Sequence, residues 1–125
     1  MASLIVASGE STGTYYPLGH RTNVLGRSES LLIQILDDQV SRKHLQICYD
    51  PESTKYSAVD MHSRNGVFVN GQRIVEERFL AEGDRVLIGN TELLFTEEDF
   101  KDSEAALHHF KKAGEWGRPT FQGNL

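Results

Sequence analysis

At 125 residues the chain has room for one domain with a real buried core, which excludes a two-domain enzyme. Hydrophobic residues make up 38% and charged residues 25%, ordinary globular usage, and Cys48 is the only cysteine, so a disordered chain, a disulfide-stapled miniature and a multi-cysteine zinc site are all excluded. A formal net charge of −5 argues against a surface laid along nucleic-acid phosphates, and any anion the protein binds must be met by a local group of cations.

The first twenty residues lack a basic start followed by an apolar run, and no later stretch is apolar for the roughly 18 residues a membrane span needs. A soluble cytoplasmic protein with no membrane partner is expected. From Ser3 to about Phe95 short apolar or β-branched runs alternate with Gly, Asn, Asp and Pro, which predicts many strands and little helix. The predicted strands are Leu4 to Ala7, Thr14 to Leu18, Asn23 to Gly26, Leu31 to Ile35, His44 to Tyr49, Tyr56 to Asp60, Val67 to Val69, Arg85 to Ile88 and Glu92 to Phe95. Leu45, Ile47 and Tyr49 alternate with Gln46, Cys48 and Asp50, the period of two by which a strand separates its faces. Two sheets packed face to face, an all-β sandwich, follow from that pattern.

Gly9 and Gly13 read as a hairpin turn, because no lysine of a phosphate-binding loop and no helix follow them. Asn65-Gly66 and Asn70-Gly71 read as turns, since both residue types accept positive φ. Gly83-Asp84 and Gly89 read the same way. After Phe95 the pattern changes: acidic residues fill an opening turn, Leu107 and Phe110 share a face, Lys111 and Lys112 lie near the end and Gly114 follows. A short helix over residues 97–113 is predicted, then a tail or linker holding Trp116 and Phe121. Residues 1–96 would form the domain and residues 97–125 the helix and tail, which leaves open a linker to a further region.

Four motifs stand in order: Gly26-Arg27; Val40-Ser41-Arg42-Lys43-His44; Ser63-Arg64-Asn65-Gly66 with Asn70-Gly71; and Gly83-Asp84 leading to Ile88-Gly89. Arg27, Arg42, Lys43 and Arg64 all fall at strand ends or in loops, so a net acidic chain gathers four of its thirteen basic residues in these segments. A phosphate monoester carries about −1.5 to −2 charges and three acceptor oxygens near neutral pH, and its reader needs fixed donors and cations converging on one point. Guanidinium forks and a serine hydroxyl meet that need. In type, order and spacing the motifs resemble the signature of the forkhead-associated (FHA) domain, a likeness that covers about Leu4 to Phe95. The resemblance implies a β-sandwich that binds phosphothreonine peptides reversibly, with no cofactor, no metal and no turnover. It implies that Arg27 and Ser41, with Arg42 beside them, hold the phosphate, that Asn65 hydrogen-bonds the peptide main chain, and that Arg64 helps select a residue beyond the phosphothreonine. Gly26, His44, Ser63, Gly66, Asn70 and Gly71 would support the loops. The implied partner is a phosphothreonine-containing protein made by an upstream Ser/Thr kinase, bound by a monomer.

Other chemistries fit the residues less well. Ser41 and His44 could be paired with Asp60 or Asp84 as a hydrolase triad, but no Gly-x-Ser-x-Gly elbow exists. His20, His62, His108 and His109 lack metal-ligand spacing, and Cys48 reads as a quiet structural thiol. Two alternatives stay open: an interaction domain of the same fold that ignores phosphate, and the regulatory domain of a longer enzyme.

Overall fold

A computed structural model describes residues 2–8 and 12–98. Among the described residues eleven strands build two sheets. They are β1 (Ser3–Val6), β2 (Tyr15–Pro17), β3 (Asn23–Gly26), β4 (Ile33–Gln34), β5 (Leu45–Asp50), β6 (Lys55–Asp60), β7 (Val67–Val69), β8 (Gln72–Arg73), β9 (Arg78–Phe79), β10 (Arg85–Ile88) and β11 (Thr91–Thr96). One sheet has the order β2-β1-β11-β10-β7-β8 and the other β4-β3-β5-β6-β9. All pairings are antiparallel except β3 with β4, so the second sheet is mixed.

The alternation in the sequence becomes the core. Leu4 lies opposite Phe95, Val6 opposite Leu93, and Leu93 opposite Val86, which itself pairs with Val69; all are buried. Leu25, Leu45, Ile47 and Ala58 supply the facing sheet. Each such Val, Leu or Ile contributes about 1.5–3 kcal/mol relative to exposure, and this cluster holds the sheets together. Inside it, Tyr56 stacks obliquely between Tyr49 and Phe95 and donates its hydroxyl to the Gly19 carbonyl at 2.6 Å, so a ring of mixed polarity is buried without an orphaned oxygen.

Eight strands fall where the sequence places them, within one residue at either end. The shortest elements differ: β8 and β9 have two residues each, too few to carry a period, and the predicted Leu31 to Ile35 strand contracts to Ile33–Gln34. Asn70 (φ 51°) and Gly71 (φ 85°) form the two-residue turn that joins β7 to β8, as positive φ at both positions requires. Asn65-Gly66 does something else. Only Gly66 has positive φ, and the pair ends the loop that carries the chain from β6 in one sheet to β7 in the other. Of the helix expected over residues 97–113, Glu97 and Glu98 are not helical, and the remainder lies outside the described residues, as do Trp116 and Phe121.

Register brings four connections to one end of the sandwich. Leu45 lies between Leu25 and Asp60, so the end of β3, the start of β5 and the end of β6 are neighbours. Ile88 pairs with both Val67 and Thr91, placing the start of β7 and the β10–β11 turn at one end of the other sheet. Hydrogen bonds then join the two groups of loops across the sheets.

A candidate anion cleft at the loop end

The cleft starts from a close approach. A Cβ on Gly26 would stand 2.1 Å from the Arg42 carbonyl oxygen and 2.9 Å from that of Ser41, so only glycine lets β3 run this near the β4–β5 loop. That contact is locked by main-chain bonds from Arg27 N–H to Ser41 O (3.0 Å) and from Ser28 N–H to Arg42 O (3.2 Å). The Arg27 side chain then donates from Nε to the Val40 carbonyl at 3.1 Å. One edge of the guanidinium is thereby fixed, and the other has no partner among the described residues.

Ser41 is held from three directions. Its N–H donates to Nδ1 of His44 (2.9 Å), its carbonyl accepts from Arg27, and its Oγ accepts from the Arg64 N–H (3.0 Å). With an acceptor position of the hydroxyl filled, its hydrogen remains to be donated outward. His44 is fully buried and bonds Gly66 O through Nε2 at 2.7 Å. Because Nδ1 must accept from Ser41, Nε2 carries the hydrogen, and the ring is a neutral clasp between two loops. The same geometry removes the hydrolase reading: His44 receives the Ser41 main-chain N–H rather than its hydroxyl.

The opposite wall comes from the β6–β7 loop. Asp60 accepts the Ser63 N–H (3.0 Å), Ser63 Oγ accepts the Gly66 N–H (2.9 Å), and Asn65 Nδ2 donates to the Gln39 carbonyl (2.8 Å) and to its Oε1 (3.3 Å). Those bonds spend the amide donors of Asn65 inward and leave its Oδ1 as an acceptor at the surface.

Arg27, Ser41, Arg42, Arg64 and Asn65 line one cleft, together with Val40 of the second motif and with Asp38 and Gln39, which sequence reasoning missed. Its volume of about 160 Å³ is below the roughly 300 Å³ at which small-molecule pockets begin, and suits a group of phosphate size. Among the described residues none of the three arginines pairs with a carboxylate. Gly26, His44, Ser63 and Gly66 stand behind the cleft as supports. Asn70 and Gly71 lie at the other end of β7, where Asn70 bonds Asp84 (2.9 Å) and the Arg85 N–H (2.9 Å), so they hold a turn that is not part of this wall.

Asp37 is the hub that the sequence left unnoticed. Its Oδ1 accepts the Gln39 N–H (2.9 Å), and its Oδ2 accepts the Asn90 N–H (2.8 Å) and the Thr91 hydroxyl (2.8 Å), tying the β4–β5 loop to the β10–β11 turn. Burial pushes its carboxyl up, but these bonds together outweigh it and leave the group below its usual range. Burial, reinforced by the charge of Glu77, pushes the Cys48 thiol up, the opposite of a reactive cysteine.

Comparison with known proteins places the fold in a family. The chain is 32% identical over 92 residues to the FHA domain-containing protein FhaA of Mycobacterium tuberculosis, covering 74% of this chain and 17% of that protein. It is 35% identical over 94 residues to the glycogen accumulation regulator GarA of Mycolicibacterium smegmatis, covering 75% and 58% respectively. The chain thus spans less than two thirds of either relative. A solved structure from a structural and functional analysis of phosphothreonine-dependent FHA domain interactions superposes with a TM-score of 0.69 at 28% identity, over 79% of this chain and 98% of that one. A family model described as the FHA domain matches residues 23–89, from the first residue of β3 into the β10–β11 turn. Because that match takes in more than half of the chain and every loop that builds the cleft, the protein belongs to the FHA domain family.

Proposed function

We propose that this FHA domain binds phosphothreonine-containing segments of a partner protein, reversibly and without chemistry. In this reading the free edge of Arg27 and the outward hydroxyl of Ser41 hold the phosphate, and Arg42 adds charge beside them. Asn65 Oδ1 accepts a peptide N–H. Arg64, whose N–H already orients Ser41, places its exposed guanidinium where a residue beyond the phosphothreonine would pass. An upstream Ser/Thr kinase supplies the ligand. The single observation that carries the reading is the convergence of three arginines without carboxylate partners on a serine whose hydroxyl has its acceptor side already filled.

The test is titration with degenerate phosphothreonine, phosphoserine and unphosphorylated peptide libraries, using wild type and folded Arg27→Ala and Ser41→Ala variants. Phosphothreonine-dependent binding is expected. Losing one charge-assisted contact should weaken it by about tenfold or more in either variant. Equal binding of all three libraries by wild type would replace this reading with a phosphate-independent interaction domain.

A further inference from the structure

We infer a second docking strip: the outer edge of β4, bracketed by Leu32 and Leu36, takes an extended apolar flank of the phosphorylated partner as an added strand beside the phosphate cleft. This rests on the phosphothreonine reading above.

Leu32 is 90% and Leu36 84% exposed, whereas Ile33 and Ile35 between them are 4% and 5% exposed and anchor the segment in the core. The alternation is that of a strand whose inward residues are fully used and whose outward leucines have no neighbour among the described residues to cover them. Among the described residues β4 is the outermost strand of its sheet. Ile35 N–H points inward, donating to Gly26 O at 2.7 Å, and successive residues of a strand direct their main-chain groups to opposite edges. The N–H and C=O of Gln34 therefore face out of the sheet. A donor, an acceptor and two leucines together are what an added strand needs: main-chain bonds for hold, side-chain contacts for selection.

Position on the molecule decides the occupant. The Gln34 side chain donates from Nε2 to the carbonyl of Arg27 at 3.1 Å, and Leu36 runs directly into Asp37, Asp38 and Gln39, the last two being cleft wall. The strip is continuous with the cleft. A second copy of the chain fits poorly. Two β4 edges paired antiparallel about Gln34 would bring Glu29 of one copy toward Asp37 and Asp38 of the other. A two-residue strand with two leucines also falls far short of the roughly 800 Å² per partner of a stable interface. A contact this small holds only a chain that is already anchored close by, where the second binding step is intramolecular. The phosphothreonine provides that anchor. The occupant is thus the partner's own flank, with apolar side chains at alternate positions to meet the two leucines, and with basic residues favoured toward Glu29 and Asp38.

The test uses phosphothreonine peptide libraries degenerate over an extended flank on each side, with wild type, Leu32→Ser, Leu36→Ser, the double variant and Arg27→Ala, all checked for folding. Both leucines are exposed, so the serine variants should fold. Wild type should enrich apolar residues at alternate positions on one flank. The double variant should lose that enrichment and bind the enriched peptide about tenfold more weakly while keeping its dependence on phosphate. The Gln34 amide should gain protection from hydrogen exchange with the enriched peptide and not with one truncated near the phosphothreonine. Phosphate-dependent binding with no apolar enrichment, or with the same enrichment in the double variant, overturns the strip and spares the cleft. Absence of phosphate-dependent binding in wild type overturns both.

Discussion

Single residues carry more of this site than their types suggest, and Gly26 is the clearest example. Any side chain there must push apart β3 and the Ser41–Arg42 segment, because the clashing atoms are main-chain atoms that cannot swing away. Gly26→Ala should cost about 1–3 kcal/mol in urea unfolding and abolish phosphopeptide binding in whatever fraction stays folded. A fully stable variant with wild-type affinity would contradict the close approach. His44 makes the complementary case, since deleting its ring leaves the Ser41 N–H and the Gly66 carbonyl unpartnered and opens a cavity. His44→Ala should lower stability by about 2–5 kcal/mol. His44→Gln, which can reach only one of the two groups, should recover part of that loss, and a variant as stable as wild type would mean that the ring is no clasp.

At the scale of elements, the β4–β5 loop is positioned by Asp37 from outside the cleft. A carboxylate whose folded pKa lies below its unfolded value stabilises the native state fully above the unfolded pKa, and that stabilisation disappears as pH falls through the folded value. The stability difference between wild type and Asp37→Asn should therefore be constant near neutral pH and shrink below about pH 4, the ordinary carboxylate range. Thermal unfolding of both proteins from pH 7 down to pH 2 checks this, and a gap that widened in acid would reverse the assignment. Strands such as β5, with Leu45 and Ile47 buried against half-exposed Gln46 and Cys48, were legible in the sequence because six residues suffice to display a period of two. β8 and β9 were not, because a two-residue strand exists only through the neighbour that pairs with it. The cleft was legible as a set of motifs but not as a wall: Asp38 and Gln39 enter it through cross-sheet register, and the Asn65-to-Gln39 bond spans 26 residues. The Asp37 contact to Gln39 N–H, two residues on, is an Asx turn and left a local trace; its bonds to Asn90 and Thr91 left none.

For the molecule as a whole, recognisable segment and folding unit are not the same. The family match begins at Asn23 and ends at Gly89, yet β1, β2 and β11, half of the six-stranded sheet, lie outside it. β1 pairs with β2 on one side and β11 on the other, and all four of its residues are buried. Without those strands Val86 and Ile88 lose their β11 neighbours, and the face of β3 and β5 loses Leu4, Val6, Leu93 and Phe95 across the core. The remaining sheet would have three strands, β10-β7-β8, one of them only two residues long, with a bare edge at β10. A peptide of residues 23–89 keeps every motif residue of the cleft and should nevertheless be unfolded, with collapsed amide dispersion by NMR and no cooperative denaturant transition, while the full chain unfolds in one step. It should also bind no phosphopeptide, because the arginines converge only when both sheets hold their loops at one end. A dispersed spectrum or phosphate-dependent binding from that peptide would show that the five-stranded sheet alone can organise the cleft, and would remove the terminal strands from the functional unit.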